Sequence, residues 1–99
     1  MRLRLDPSKG TQDPFSYALA RGTAYATTVG RPFSPKEFWT ALRADGLFLE
    51  DGDHPLPEGP EADSAGVFTA TLALDHLYAR GQLRRRLDPT GNYAYSGGP

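Results

Sequence analysis

Four arginines near the C-terminal end of the chain are the residues best suited to chemistry. Three stand in a row, Arg84-Arg85-Arg86, and Arg80 comes shortly before them. A guanidinium presents a planar fork of donors that matches the oxygens of a phosphate, so this group predicts a contact with nucleic acid. On a strand, Arg84 and Arg86 share one face and Arg85 lies on the other. The alternative interpretation is a solvated strand edge that charge protects against aggregation.

A second candidate surface lies on the helix that the sequence predicts before these arginines. Apolar residues recur at helical spacing from Val67 to Tyr78, and the 3.6-residue period predicts which side chains point away from the core. That outward set is Ala65, Thr69, Leu72, Ala73, His76 and Arg80. Thr69, His76 and Arg80 are the candidates for DNA contact, but the face lacks the Asn, Gln or second Arg that would read purine edges.

The same helix offers a different kind of contact through its apolar residues. Leu72 points outward in this prediction, and Phe68 flanks it. Exposed apolar surface of this kind more often marks a protein contact than a DNA contact. Phe68 and Leu72 are therefore the candidate residues for a protein interface.

Other groups of reactive residues lack the spacing that metal binding or catalysis needs. Asp51, Asp53 and His54 are without the remaining positions of a calcium loop, and the adjacent Asp75 and His76 point about 100° apart on a helix. The chain has no cysteine, no glycine-rich phosphate loop and no serine in a nucleophile-elbow context. We therefore expect no enzyme activity, no cofactor and no metal site.

A helix and a hairpin are the elements that must position the arginines. Gly81 stands where a left-handed glycine would end the helix, and a basic strand, a turn and a tyrosine-bearing strand follow. These segments are residues 82–87, 88–92 and 93–96. Tyr93 and Tyr95 fall on one strand face, where we expect them to pack on Leu83 and Leu87 rather than to stack on bases.

A helix that passes through a glycine into such a hairpin resembles the second half of a winged helix-turn-helix domain. The resemblance covers residues 34–96 and rests on the cadence L-Y-A-R-G-Q-L-R-R-R-L followed by G-N-Y-A-Y-S. It implies that the third helix enters the major groove of DNA while Arg84 and Arg86 of the wing hold phosphates. The resemblance is to the broad superfamily and to no particular member.

Two further helices precede this unit, and each has a start signal of its own. Asp13 followed by Pro14 is an N-cap with proline at the first helical position, which predicts helix one from Pro14 to Val29. Residues 33–38, F-S-P-K-E-F, combine an N-cap serine, a proline at N1, a capping-box glutamate and two phenylalanines placed to staple. We expect helix two to run from there to about Asp45, with Gly46 as its C-cap.

The aromatic residues near these helices predict a core between helices one and two. They are Phe15, Phe33, Phe38 and Trp39. The resemblance also implies a homodimer, since a domain this small typically needs two copies to cover enough DNA. Its contacts would come from Phe68 and Leu72, or from the helix-one face around Ala18 and Ala26.

A long acidic segment separates helices two and three. Residues 50–63 hold three prolines, two glycines and six acids without a lysine or arginine, a composition that predicts neither helix nor strand. The chain carries a net charge of −1, yet the other residues hold six acids against eleven bases, or +5. Asp63 or Ser64 is the expected cap of helix three. Such a loop departs from the winged-helix pattern.

These observations predict one α+β domain over all 99 residues. It would be a three-helix winged helix-turn-helix domain with a C-terminal β-hairpin wing, a long acidic loop, an N-terminal strand or arm over 1–12 and a flexible tail at 97–99. The lack of cysteine, of a signal peptide and of a membrane-spanning run favours a cytoplasmic protein.

The expected function is DNA binding by a small transcription regulator, with double-stranded DNA as the partner. The alternative is a winged-helix module for protein–protein interaction, such as a subunit or phage-type inhibitor of a larger machine, which does not bind DNA. Fold similarity does not decide between them. Continuous positive charge over helix three and the wing would favour DNA, whereas an apolar patch interrupted by acids would favour a protein.

Overall fold

Three helices and two antiparallel sheets make up the fold, which is of the α+β class as predicted. The computed structural model describes residues 4–5, 13–45, 48–50, 54–55 and 60–97. In chain order the elements are β1 (Arg4–Leu5), α1 (Pro14–Val29), α2 (Pro35–Ala44), β2 (Phe48–Glu50), β3 (His54–Pro55), α3 (Pro60–Ala79), β4 (Leu83–Leu87) and β5 (Tyr93–Gly97). The C-terminal hairpin, β4–β5, is confirmed.

Helix α1 has the bounds that its cap residues predict. The Asp13 carboxylate accepts a hydrogen bond from the Ser16 amide at 2.6 Å, and Gly30 ends the helix in the left-handed region, at φ +66°. Proline at the first position has no amide donor to lose there. The suggestion that Ala18 and Ala26 offer a dimer contact is wrong, because the two residues are 0% and 3% exposed in the core.

Helix α2 begins at the predicted motif. The hydroxyl oxygen of Ser34 accepts a hydrogen bond from the Glu37 amide at 3.1 Å, and the ring centroids of Phe33 and Phe38 lie 6.2 Å apart. The N-cap and the staple are therefore confirmed. The helix ends at Ala44, while the predicted cap at Gly46 lies outside the described residues.

Helix α3 begins at Pro60, about one turn before the predicted cap at Asp63 or Ser64. The expectation that residues 50–63 form neither helix nor strand is wrong, because α3 begins within this segment and two strands also reach it. Glu50 ends β2, and β3 lies within the segment. Proline is tolerated in the first turn of a helix and on an edge strand, so the prolines did not exclude either element.

The N-terminal strand finds its partner in this same region. Strand β2 lies in the centre of a three-stranded antiparallel sheet, with β1 on one side and β3 on the other. Leu5 pairs with Phe48, and Glu50 pairs with His54. The sequence predicted β1 but gave no partner for it, because the segment that supplies one was predicted to be a loop.

Helix α3 packs against both α1 and α2, which contact each other much less. Its buried sector is therefore wider than a single apolar stripe. Ala73, predicted to face outward, is completely buried, whereas Tyr78, predicted to face the core, is 41% exposed. The buried apolar residues of the described chain are Ala18, Ala26, Phe33, Phe38, Trp39, Leu42, Ala70, Ala73, Leu74, Leu77, Leu83 and Tyr95.

The hairpin follows α3 directly. Gly81, at φ +77°, ends the helix as predicted, and the Gln82 amide donates to the Leu77 carbonyl at 2.9 Å. The inner face of the hairpin, which carries Arg85 and Tyr95, packs on α3. On the edge of β5 that faces away from β4, Tyr95 forms an antiparallel β-bridge with Phe33. Among the described residues, no helix has the length and apolar character needed to cross a membrane.

Candidate nucleic-acid interface

Strand β4 divides the three consecutive arginines between its two faces. Arg84 and Arg86 are exposed, whereas Arg85 is half-buried. Cross-strand pairing places Ser96 opposite Arg84 and Ala94 opposite Arg86. Because these two neighbours are small, they leave the guanidinium groups uncovered. Within the described residues, neither Arg84 nor Arg86 takes part in a salt bridge.

Arg85 faces the helix and is engaged there. Its Nη1 atom lies 3.1 Å from Oδ1 of Asp75. Its guanidinium carbon lies 4.2 Å from the ring centroid of Tyr78 and 4.1 Å from that of Tyr93. These are cation–π distances, so the half-buried guanidinium of Arg85 is held between two tyrosine rings and Asp75. The prediction that only two of the three arginines meet one surface is thus confirmed.

Asp75 joins α3 to both strands of the hairpin. Besides Arg85, its Oδ1 atom accepts a hydrogen bond from the hydroxyl of Tyr95, a residue that is completely buried. Burial and this hydrogen bond together raise the pKa of Tyr95 above its usual range. The sequence analysis treats Asp75 only as a metal-ligand candidate and misses its contacts with Arg85 and Tyr95. The available signal is that Arg85 and Tyr95 pair across the hairpin on one face, where an acid on a facing helix can contact both.

An open groove of about 620 Å³ lies along the hairpin at strand β4 and reaches the end of α3. It is lined by Pro32, Tyr78, Gly81, Leu83, Arg84, Arg85, Arg86, Ala94 and Ser96. The groove therefore combines three arginines with a serine, small residues and Tyr78. Arg85 is paired with Asp75, so the N–H donors of Arg84 and Arg86 are the ones available to the oxygen atoms of an anion.

The helix residues predicted to contact DNA fit that role less well. Thr69 is half-buried, and its hydroxyl donates to the Ala65 carbonyl at 3.0 Å. His76 is exposed, but its ring packs edge-on against Phe15 with centroids 5.9 Å apart. Arg80 is exposed at the C-terminal end of α3. The structure thus brings Arg84 and Arg86 together and leaves the helix with few groups that can read bases.

The predicted apolar surface on α3 is exposed. Phe68 is 65% exposed and Leu72 is 46% exposed, and they are four positions apart, so they are neighbours on the helix surface. The outer face of α3 therefore has apolar character where a base-reading helix would carry polar side chains.

Neither possible metal ligands among the described residues nor similarity to known proteins indicates a further function. Across the described residues, no three His, Asp or Glu side chains lie close enough together to hold a metal ion. No protein family model matches the chain, and no curated protein or solved structure is significantly similar to it.

Proposed function

We propose that this chain is a winged helix-turn-helix protein that binds double-stranded DNA through its hairpin, in the manner of a small transcription regulator. The observation that carries the proposal is the division of the arginines by β4. Arg84 and Arg86 lie exposed on one face, opposite Ser96 and Ala94, while Arg85 is paired with Asp75. A row of cations beside small residues suits the phosphate backbone of a duplex.

The proposed contact is electrostatic and largely independent of base sequence. Each protein cation that neutralises a phosphate contributes a slope of about −0.9 to the dependence of log K on log salt. Arg84 and Arg86, with Arg80 as a third cation, would give a slope between about −2 and −3. Binding of this kind is weak at physiological salt, and Thr69 and His76 add little base readout because each has a partner within the fold.

The proposal is tested with a random duplex of about 20 base pairs in about 50 mM salt, where phosphate contacts are strong. Fluorescence anisotropy should detect binding by the parent protein, and the double variant Arg84→Gln with Arg86→Gln should lose it. A matched control removes two positive charges elsewhere, through Arg21→Gln and Lys36→Gln, and should retain binding. Absence of binding by the parent, or equal loss in both double variants, would overturn the proposal.

A second candidate function is a protein-interaction module, and the exposed pair Phe68 and Leu72 favours it. These residues form an apolar contact surface on α3 that DNA binding does not use. A homodimer through this surface is the simplest case, and it should be weak, because stable interfaces bury more than about 1,000 Å² in total. Sedimentation at increasing concentration would detect it, and Phe68→Ser with Leu72→Ser should abolish the association.

A further inference from the structure

Strand β4 has one backbone edge that pairs with β5 and another that no described strand covers. The sheet that contains it has only the two strands β4 and β5 among the described residues. On the far side of β5, the amide and carbonyl of Tyr95 both bond to Phe33, each at 2.8 Å. As far as the described residues extend, the hairpin is therefore open on the β4 side.

The direction of the backbone groups on that open edge follows from the ladder. In an antiparallel pair, opposite residues alternate between those that bond to each other and those whose amides and carbonyls point away. Tyr95 directs both groups to Phe33, so Arg85, opposite it, directs both groups to the free edge. By the period of two, Leu83 and Leu87 do the same. Leu83 is 3% exposed, so the accessible amides and carbonyls of this edge are those of Arg85 and Leu87.

The side chains beside the edge decide which strand it can accept. A second copy of β4 would bring its arginine row against Arg84 and Arg86, and like charges placed across a strand pair are destabilising. This charge protects the protein against self-association through the hairpin. A strand with Glu or Asp at alternate positions would instead place its acids beside Arg84 and Arg86.

Around Arg85, the inner face of the edge is apolar and partly open. Leu87 is 59% exposed, and Tyr78 and Tyr93 are 41% and 45% exposed on the same side of the hairpin as Arg85. The residues of an added strand that alternate with the acids would meet this surface. The edge is therefore complementary to a segment in which acidic and apolar residues alternate.

We propose that the free edge of β4 binds an extended acidic peptide by strand addition. The added strand would form hydrogen bonds with the backbone of Arg85 and Leu87, while its acids pair with Arg84 and Arg86 on the outer face. This protein-binding activity shares Arg84 and Arg86 with the proposed DNA contact, adds the backbone edge of β4, and does not use the apolar surface on α3.

The test uses amide exchange by NMR with a blocked peptide containing Glu-Val-Glu-Val-Glu. With peptide in excess, the amides of Arg85 and Leu87 should exchange more slowly by about tenfold or more, since they gain partners. The amides of Arg84 and Arg86, which already bond within the hairpin, should change little. The matched Lys-Val-Lys-Val-Lys peptide should give no such protection.

A charge-reversed variant, Arg84→Glu with Arg86→Glu, completes the test. It should be protected by the lysine peptide and no longer by the glutamate peptide. Binding of the glutamate peptide without protection of the Arg85 and Leu87 amides would overturn the proposal, as would equal protection by both peptides or by neither. No DNA is present, so the outcome does not depend on the result of the duplex experiment.

Discussion

The indole ring of Trp39 lies directly against Gly66, so closely that a Cβ atom added at Gly66 would overlap the ring. Through this contact α2 packs onto α3 in the centre of the core. The indole is also fixed at its edge, because Nε1 of Trp39 donates to Oδ1 of Asp63 at 3.3 Å. The ring therefore has little freedom to move away from the helix.

Gly66→Ala should destabilise the protein although alanine is the better helix former. Overpacking of a core typically costs about 1–3 kcal/mol, against about 1 kcal/mol gained in helix propensity. Gly22→Ala is the matched comparison, because its new methyl would meet only the terminal Cδ1 of Leu77, which can rotate. Urea unfolding should show the larger loss for Gly66→Ala, and equal losses would contradict the expected rigidity of Trp39.

The elements that the sequence predicted well are those with local end signals. Asp13 and Ser34 each cap a helix through one short-range hydrogen bond, and Gly30 and Gly81 each end one in the left-handed region. Such signals act within a few residues, so they can be recognised without knowledge of the tertiary structure.

The features that the sequence did not predict depend on contacts between distant segments. The β2 strand, in the middle of the chain, pairs with β1 near the N-terminus, and α3 buries Ala73 because two helices cover it. Asp75 is recognisable as a partner of Arg85 and Tyr95 only when the hairpin is known to fold onto α3. The proline-rich composition of residues 50–63 also led to a wrong start for α3, because the helix begins at Pro60 and the predicted cap was Asp63 or Ser64.

Ser34→Ala should lower the free energy of unfolding by about 1 kcal/mol, because it removes the acceptor for the Glu37 amide. Ser64→Ala provides the control, since Ser64 lies inside α3 and is exposed there. That change should be neutral or slightly stabilising, because alanine has the higher helix propensity. Thermal unfolding of both variants measures these effects. An unchanged melting temperature for Ser34→Ala would show that the cap contributes nothing to stability.

Asp75→Ala should destabilise the protein more than Tyr95→Phe. Loss of the carboxylate leaves the buried Tyr95 hydroxyl without its acceptor, at a cost of about 1–3 kcal/mol. Tyr95→Phe removes the donor itself and leaves Asp75 paired with Arg85, so about 1 kcal/mol is expected. Urea unfolding of the two single variants and the double variant should give less than additive losses, and full additivity would mean that Asp75 and Tyr95 act separately.

Stability should fall when the pH rises above about 10, where unfolded tyrosine begins to ionise. Burial and the hydrogen bond to Asp45 raise the pKa of Tyr17 from 10.0 to about 12, and burial raises that of Tyr95 as well. The folded state then holds its phenol protons more tightly than the unfolded state. The stabilisation is complete below the unfolded pKa and is lost as the pH rises toward the folded pKa.

Tyr17→Phe should therefore reduce the alkaline loss of stability. Urea unfolding at about pH 8 and about pH 11 would measure the difference between the parent and the variant at each pH. The variant should be less stable than the parent at the lower pH, and this gap should narrow at the higher pH. A gap that stays constant would show that ionisation of Tyr17 is not linked to folding.

The acids of residues 50–63 should weaken the proposed contact with DNA, because they add negative charge to a protein whose remaining residues carry +5. Removal of the whole segment would also remove β3 and the first turn of α3, so neutralisation of charge is the cleaner change. Asn or Gln at Asp51, Asp53, Glu58 and Glu61 shifts the net charge from −1 by four, to +3. This variant should bind random duplex more tightly than the parent at about 20 mM salt, and the difference should shrink at about 200 mM salt as screening increases.

A control that exchanges Asp and Glu at the same four positions keeps the charge and should bind like the parent. If neutralisation left the affinity unchanged at low salt, these carboxylates would not restrain DNA binding.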